Sequence, residues 1–131
     1  MRVTFLDIEK VLRIHRSMIA TYGGQEGVRG IGLLHSAIAM PQAYFGGQPL
    51  HADLFEMAGA YLYHIVQNHP FIDGNKRTGA ASAIVFLAMN DVKIRADEAG
   101  LVDLTLAVAR GRAGKARISE FFRSHAGAKG S

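Results

Sequence analysis

The eleven residues HPFIDGNKRTG, positions 69–79, place a histidine, a carboxylate, an amide, two cations and two glycines between two long apolar stretches. If the segment is a turn that opens a helix, the first backbone N–H groups of that helix have no partner inside it, and the helix dipole is positive at the same end. Gly74 lets the backbone approach a ligand closely. Asn75, Lys76 and Arg77 add donors at the same mouth, so phosphate oxygens are a physically sound occupant. Asp73 is the odd member, because a carboxylate repels phosphate unless a cation lies between them. Mg2+ bridges such groups, holding one or two carboxylates together with phosphate oxygens. The other reading of Asp73 is the N-cap of the helix. His69 closes the preceding helix and has the right chemistry for a general base at neutral pH. Its alternative role is structural, at a helix C-terminus. Pro70 and Phe71 stiffen the turn, with Phe71 as a buried anchor. A phosphate cradle, a metal carboxylate and a base together describe phosphoryl or nucleotidyl transfer to a hydroxyl.

Such a loop works only if the elements on either side hold it still, and helical periodicity dominates the chain. Ile8, Val11, Leu12, His15, Met18, Ile19 and Tyr22 form one stripe, started by Asp7 and stopped by Gly23-Gly24. Residues 31–39 predict a short helix closed by Pro41. The Gly- and Pro-rich PQAYFGGQPL predicts a flap loop or short hairpin. Asp53 and Glu56 make a capping-box-like start for a helix over 54–68. Residues 75–89 predict a second helix, apolar nearly all round and rich in Ala and Gly, which belongs at the centre of a bundle. Asp97 starts another, with Leu101, Leu104, Thr105 and Val108 on one face, and Ile118, Phe121 and Phe122 mark a short final one. RVTFL has strand character but nothing to pair with. The expected fold is an all-α, single-domain bundle of about six helices over residues 1–126, with 127–131 as a disordered tail and fraying expected from His125 onward.

The bulk numbers agree. The chain has 131 residues, 49% hydrophobic and 20% charged, enough for one core and too few for two. The net charge of +4 admits nucleic acid, nucleotide or an acidic protein as partner, although no interleaved aromatics mark a single-strand binding surface. The absence of cysteine excludes disulfides and thiolate metal sites and fits a cytoplasmic protein. No secretory signal is visible. The longest apolar stretch, 79–89, is broken only by Ser82 and is too short for a bilayer span.

At positions 69–77 the sequence resembles the Fic/Doc family. The Fic signature is H-P-F-x-[D/E]-G-N-G-R-x-x-R, and this chain reads His69, Pro70, Phe71, Ile72, Asp73, Gly74, Asn75, Lys76, Arg77. Lys76 replaces the second Gly and Ala80 the second Arg, as in the Doc (death-on-curing) toxin branch. GLLHSAIAMPQ, residues 32–42, also resembles the stretch before the flap in that branch. The resemblance implies a toxin of a type II toxin–antitoxin system acting as a protein kinase. It would transfer the γ-phosphoryl of ATP to a threonine of elongation factor Tu and so inhibit translation. Fic enzymes transfer AMP instead, and that activity, or a catalytically dead peptide-binding module, is the alternative. By this analogy His69 takes the proton from the target hydroxyl and Asp73 holds Mg2+. Gly74, Asn75, Lys76 and Arg77 bind the phosphates of ATP, and Phe71 anchors the loop.

The inhibitory motif of many Fic enzymes is missing, since Tyr22 stands four residues before Glu26-Gly27. The resemblance therefore implies a separate antitoxin of the Phd type, whose disordered tail folds as a helix into a groove of the bundle. No DNA-binding motif and no membrane segment are present, so neither direct DNA binding nor a membrane partner is expected. RGRAGKARIS lacks the glycine spacing of a P-loop, and Ala116 stands where Ser or Thr is needed. His15 and His64 are read as structural, and His35 and His51 as surface residues flanking the flap. Tyr44 and Phe45 either dock a target or cover the site.

Overall fold

A computed structural model describes residues 2–127. It has six helices: α1 (Ile8–Tyr22), α2 (Ile31–Ala39), α3 (Leu54–Asn68), α4 (Asn75–Met89), α5 (Glu98–Ala109) and α6 (Lys115–His125). A single 3-10 turn, Met40–Gln42, extends α2 and holds Pro41. The expected all-α bundle is what forms, and the only sheet among the described residues is a two-stranded hairpin.

Local signals set the helix borders. Asp7, Asp53 and Asp97 are N-caps whose side chains accept from Lys10 N, Glu56 N and Gly100 N. At α3 the Glu56 carboxylate accepts from Ala52 N rather than from the cap residue, so the capping box is shifted by one position. At its far end α1 stops where Gly23 takes φ 85°.

The flap is a hairpin of β1 (Tyr44–Phe45) and β2 (Gln48–Pro49), antiparallel, with Phe45 opposite Gln48. Its two-residue turn is Gly46-Gly47, both at positive φ, the conformation that matches strand twist and that glycine adopts without strain. Tyr44 and Phe45 are 70% and 80% exposed.

The core lies around α3, which packs against α2, α4, α5 and α6. Tyr61, Leu62, Ile65, Phe71, Phe86, Leu87, Ile118 and Phe122 are fully buried there. Small residues set the spacing of α3 and α4. A Cβ on Gly79 would sit 3.0 Å from Val66 Cγ2 and 3.2 Å from the Leu62 carbonyl oxygen. Tyr61 also reaches the N-terminal segment, where its hydroxyl accepts from Leu6 N at 2.9 Å. That segment, which has strand character in sequence, forms no strand. The amide of Asn90 takes the place of a partner strand, accepting from Thr4 N at 2.8 Å and donating to Thr4 O at 2.9 Å.

Two expectations need correction. His51, read as a surface residue, is 5% exposed, because the chain leaving the flap turns inward to meet α3 and α6. Its Nε2 and that of His64 each lie 3.2 Å from Lys115 Nζ. Fraying does not begin at His125: Arg95 N donates to its carbonyl at 2.8 Å, its Nε2 meets Asp97 Oδ2 at 3.0 Å, and Ala126 pairs with Ile94. Residues 128–131, most of the expected tail, lie outside the described residues. No described helix is long and apolar enough to cross a membrane.

Candidate active site

The segment from His69 to Gly74 is the connection between α3 and α4, and its shape follows from a few constraints. His69 is the C-cap of α3, in the left-handed region at φ 54° and ψ 54°, with its N–H bonded to Ile65 O. Phe71 is fully buried and lies face to face with His15, ring centroids 3.8 Å apart at 5°. Asn75, 5% exposed, folds its amide back on the loop: Oδ1 accepts from Phe71 N and Nδ2 donates to Phe71 O, both at 2.9 Å. His15 Nε2 lies 2.8 Å from the Asp73 carbonyl oxygen. His15, read as structural from the sequence, is thus a prop of this loop from α1.

The N-cap of α4 is Gly74, at φ 80°, and no side chain caps the helix. Asp73 is therefore not the N-cap that the sequence allowed. One residue earlier, its Oδ1 accepts from Gly74 N at 2.9 Å and its Oδ2 from Gln25 N at 3.1 Å. These two bonds to backbone N–H, helped by the charges of Lys76 and Arg77, hold its carboxyl below the usual range. Asp73 is exposed and ionised at neutral pH, with lone pairs to spare. The first backbone bond of α4 runs from Thr78 N to Gly74 O, so the N–H groups of Asn75, Lys76 and Arg77 have no partner within the helix.

Asp73, Gly74, Asn75, Lys76 and Arg77 all line one end of a cleft of about 740 Å³. Its walls come from α1, α4 and α5: Met18 and Tyr22, then Ala80, Ala81, Ile84 and Val85, then Leu101, Val102 and Leu106. The Arg77 guanidinium lies over the Tyr22 ring, 4.5 Å from its centroid. Of the residues singled out in sequence, His69 is exposed at the head of the loop and does not line the cleft, while Phe71 lies beneath it. Asn75 contributes its backbone N–H to the mouth but not its amide, which is taken up by Phe71.

Sequence reasoning missed three contributors. The Gly23-Gly24 pair, read only as a helix stop, brings the chain against Asp73, and a Cβ on Gly24 would stand 2.8 Å from Asp73 Oδ2. Arg29 reaches the carbonyls at the end of α3. The α5 wall of the cleft carried only the signal of an amphipathic helix.

A carboxylate with free lone pairs beside an uncapped, positively polarised helix end fits a divalent cation shared with phosphate oxygens. Among the described residues no group of three or more His, Asp or Glu could hold a metal by itself. An ion at Asp73 would therefore draw its remaining oxygens from water and ligand.

Comparison with known proteins finds relatives of this chain. A family model described as the Fic/DOC family matches residues 5–87, which include the whole loop. The "Toxin Doc" of Mycolicibacterium smegmatis is 43% identical over 93 residues, covering 71% of this chain and 69% of that protein. The "Protein kinase doc" of Escherichia phage P1 is 33% identical over 115 residues, covering 88% of this chain and 90% of the relative.

Proposed function

The chain belongs to the Fic/DOC family, and from that premise we propose that it is a Doc-type toxin that transfers the γ-phosphoryl of ATP to a protein hydroxyl. The observation that carries this reading is the uncapped start of α4, where three free N–H groups, Lys76, Arg77 and the Asp73 carboxylate face one cleft. The two relatives, one named a toxin and the other a protein kinase, support it.

In this mechanism the N–H groups of residues 75–77 and the side chains of Lys76 and Arg77 bind the phosphate oxygens. They also stabilise charge on the transferred group. Asp73 holds Mg2+, which when bound neutralises phosphate charge. A ring nitrogen of His69 accepts the proton of the target hydroxyl as its oxygen bonds to the γ-phosphorus and the bond to ADP breaks. Phe71, His15 and Asn75 keep the loop rigid between these groups. Lys76 occupies space that glycine leaves open in the adenylyltransferases, which favours a nucleotide placed with its terminal phosphate at the reactive position. A threonine of elongation factor Tu is the proposed target, with inhibited translation as the outcome. The proposed restraint is a Phd-type antitoxin whose folded tail lays an apolar helix face against the cleft.

Incubating the protein with Mg2+, its target and ATP labelled at either the α or the γ phosphate tests the reaction. Label from the γ position, lost in His69→Ala, is expected. Label from the α position alone would make the chain an adenylyltransferase, and a His69→Ala variant as toxic as its parent would make it a binding module.

A further inference from the structure

We propose that Arg29 is the positioning residue that sets the direction of the His69 imidazole. The inference rests on the functional reading above and adds a residue forty positions away from the loop. Arg29 lies in the connection between α1 and α2. Its Nε donates to the His69 carbonyl at 2.8 Å and its Nη2 to the Asn68 carbonyl at 3.1 Å. The backbone N–H groups of Arg29 and Gly30 both donate to the Pro70 carbonyl, at 2.7 and 3.1 Å. Val28 pairs with Phe71, and Ile72 N donates to Gly27 O at 3.0 Å. Residues 27–30 therefore run beside 69–72 as a short antiparallel rail, with the guanidinium at its end.

The need for such a clamp comes from His69 itself. It holds a left-handed conformation, one of two non-glycine residues with positive φ among those described. A residue with a Cβ carries a steric cost in that conformation, which its surroundings must offset. The ring is exposed and makes no hydrogen bond among the described residues. The backbone sets the Cα–Cβ bond from which the ring projects, and the carbonyl of that residue is the atom Arg29 grips. Arginine suits the task because its planar fork reaches two neighbouring carbonyls at once, at the helix end where the dipole favours a cation.

The test compares the parent with Arg29→Ala and Arg29→Lys. Without the clamp the base samples unproductive directions, and Arg29→Ala is expected to lose about tenfold or more in kcat. KM for ATP stays within about twofold, since Arg29 does not line the cleft. Arg29→Lys recovers part of the loss, because an ammonium reaches one carbonyl but not both. Rates are normalised to folded protein by thermal melts. The second readout needs no activity: the His69 ring resonances, assigned by their loss in His69→Ala, are expected to shift and broaden in Arg29→Ala. Unchanged ring resonances, or a raised KM with kcat intact, would overturn the role of Arg29. Should the parent show no transfer from ATP while the ring resonances still move, the functional reading falls and the clamp stands.

Discussion

Lowering the pH from 7 to 5 should destabilise this fold through one cluster far from the loop. His51, His64 and Lys115 meet where the flap, α3 and α6 join, with both Nε2 atoms 3.2 Å from the same ammonium. The Tyr63 ring lies 5.8 Å from that ammonium, and the charge of Glu56 is felt at His51. Burial first, and then Lys115, push His64 down to about 4 and lower His51 as well. With the folded pKa depressed below the ordinary 6.5, the unfolded chain binds more protons across the interval between the two values. The cluster's contribution is thus complete above pH 6.5 and is lost as pH falls toward 4. Integrating that difference for His64 alone from pH 7 to pH 5 gives a loss of about 2 kcal/mol. Solvent screening trims this figure because the residue is only half-buried, whereas His51 adds to it in the same direction. For a chain of this length the loss corresponds to a fall in Tm of roughly 5–10 °C. The assay is a thermal melt at constant ionic strength at each pH, for the parent and for His64→Gln, whose amide oxygen can accept from Lys115 without titrating. The parent should lose several degrees, and the variant only the part due to His51. An equal drop in both proteins would refute the reasoning.

Three further outcomes are expected. Gly79→Ala puts a methyl 3.0 Å from Val66 Cγ2 and 3.2 Å from the Leu62 carbonyl, so the α3–α4 contact must open, at a cost of about 1–3 kcal/mol read as a lower urea midpoint. Asn75→Asp replaces the donor to Phe71 O with an acceptor in a buried site and should cost about 1–3 kcal/mol by the same measurement. Gly24→Ala drives a Cβ to 2.8 Å from Asp73 Oδ2 at φ 119°, displacing the carboxylate. Transfer should fall about tenfold or more and require more Mg2+, and an unchanged Mg2+ titration would disconnect Asp73 from the metal.

The sequence by itself determined the helices and the residues of the loop, because the signals that start and stop a helix act within a few positions. Asp53 and Asp97 cap the helices that follow them, Gly23 ends α1, and α3 and α4 have the borders that periodicity predicts. The grouping of Asp73 through Arg77 at one helix mouth was legible for the same reason: five successive residues at a helix start cannot lie far apart. Contacts between residues distant in sequence depended on the tertiary structure. No local pattern announces that Arg29 will grip the His69 carbonyl, that Gln25 N will hold Asp73, or that His15 will lie against Phe71. Nor does it reveal that the Asn75 amide will turn inward, or that His51 will leave the surface for Lys115. Which side chain meets which across a bundle is settled by how the helices cross and by where glycines such as Gly79 let them close up, and only the packed chain specifies that.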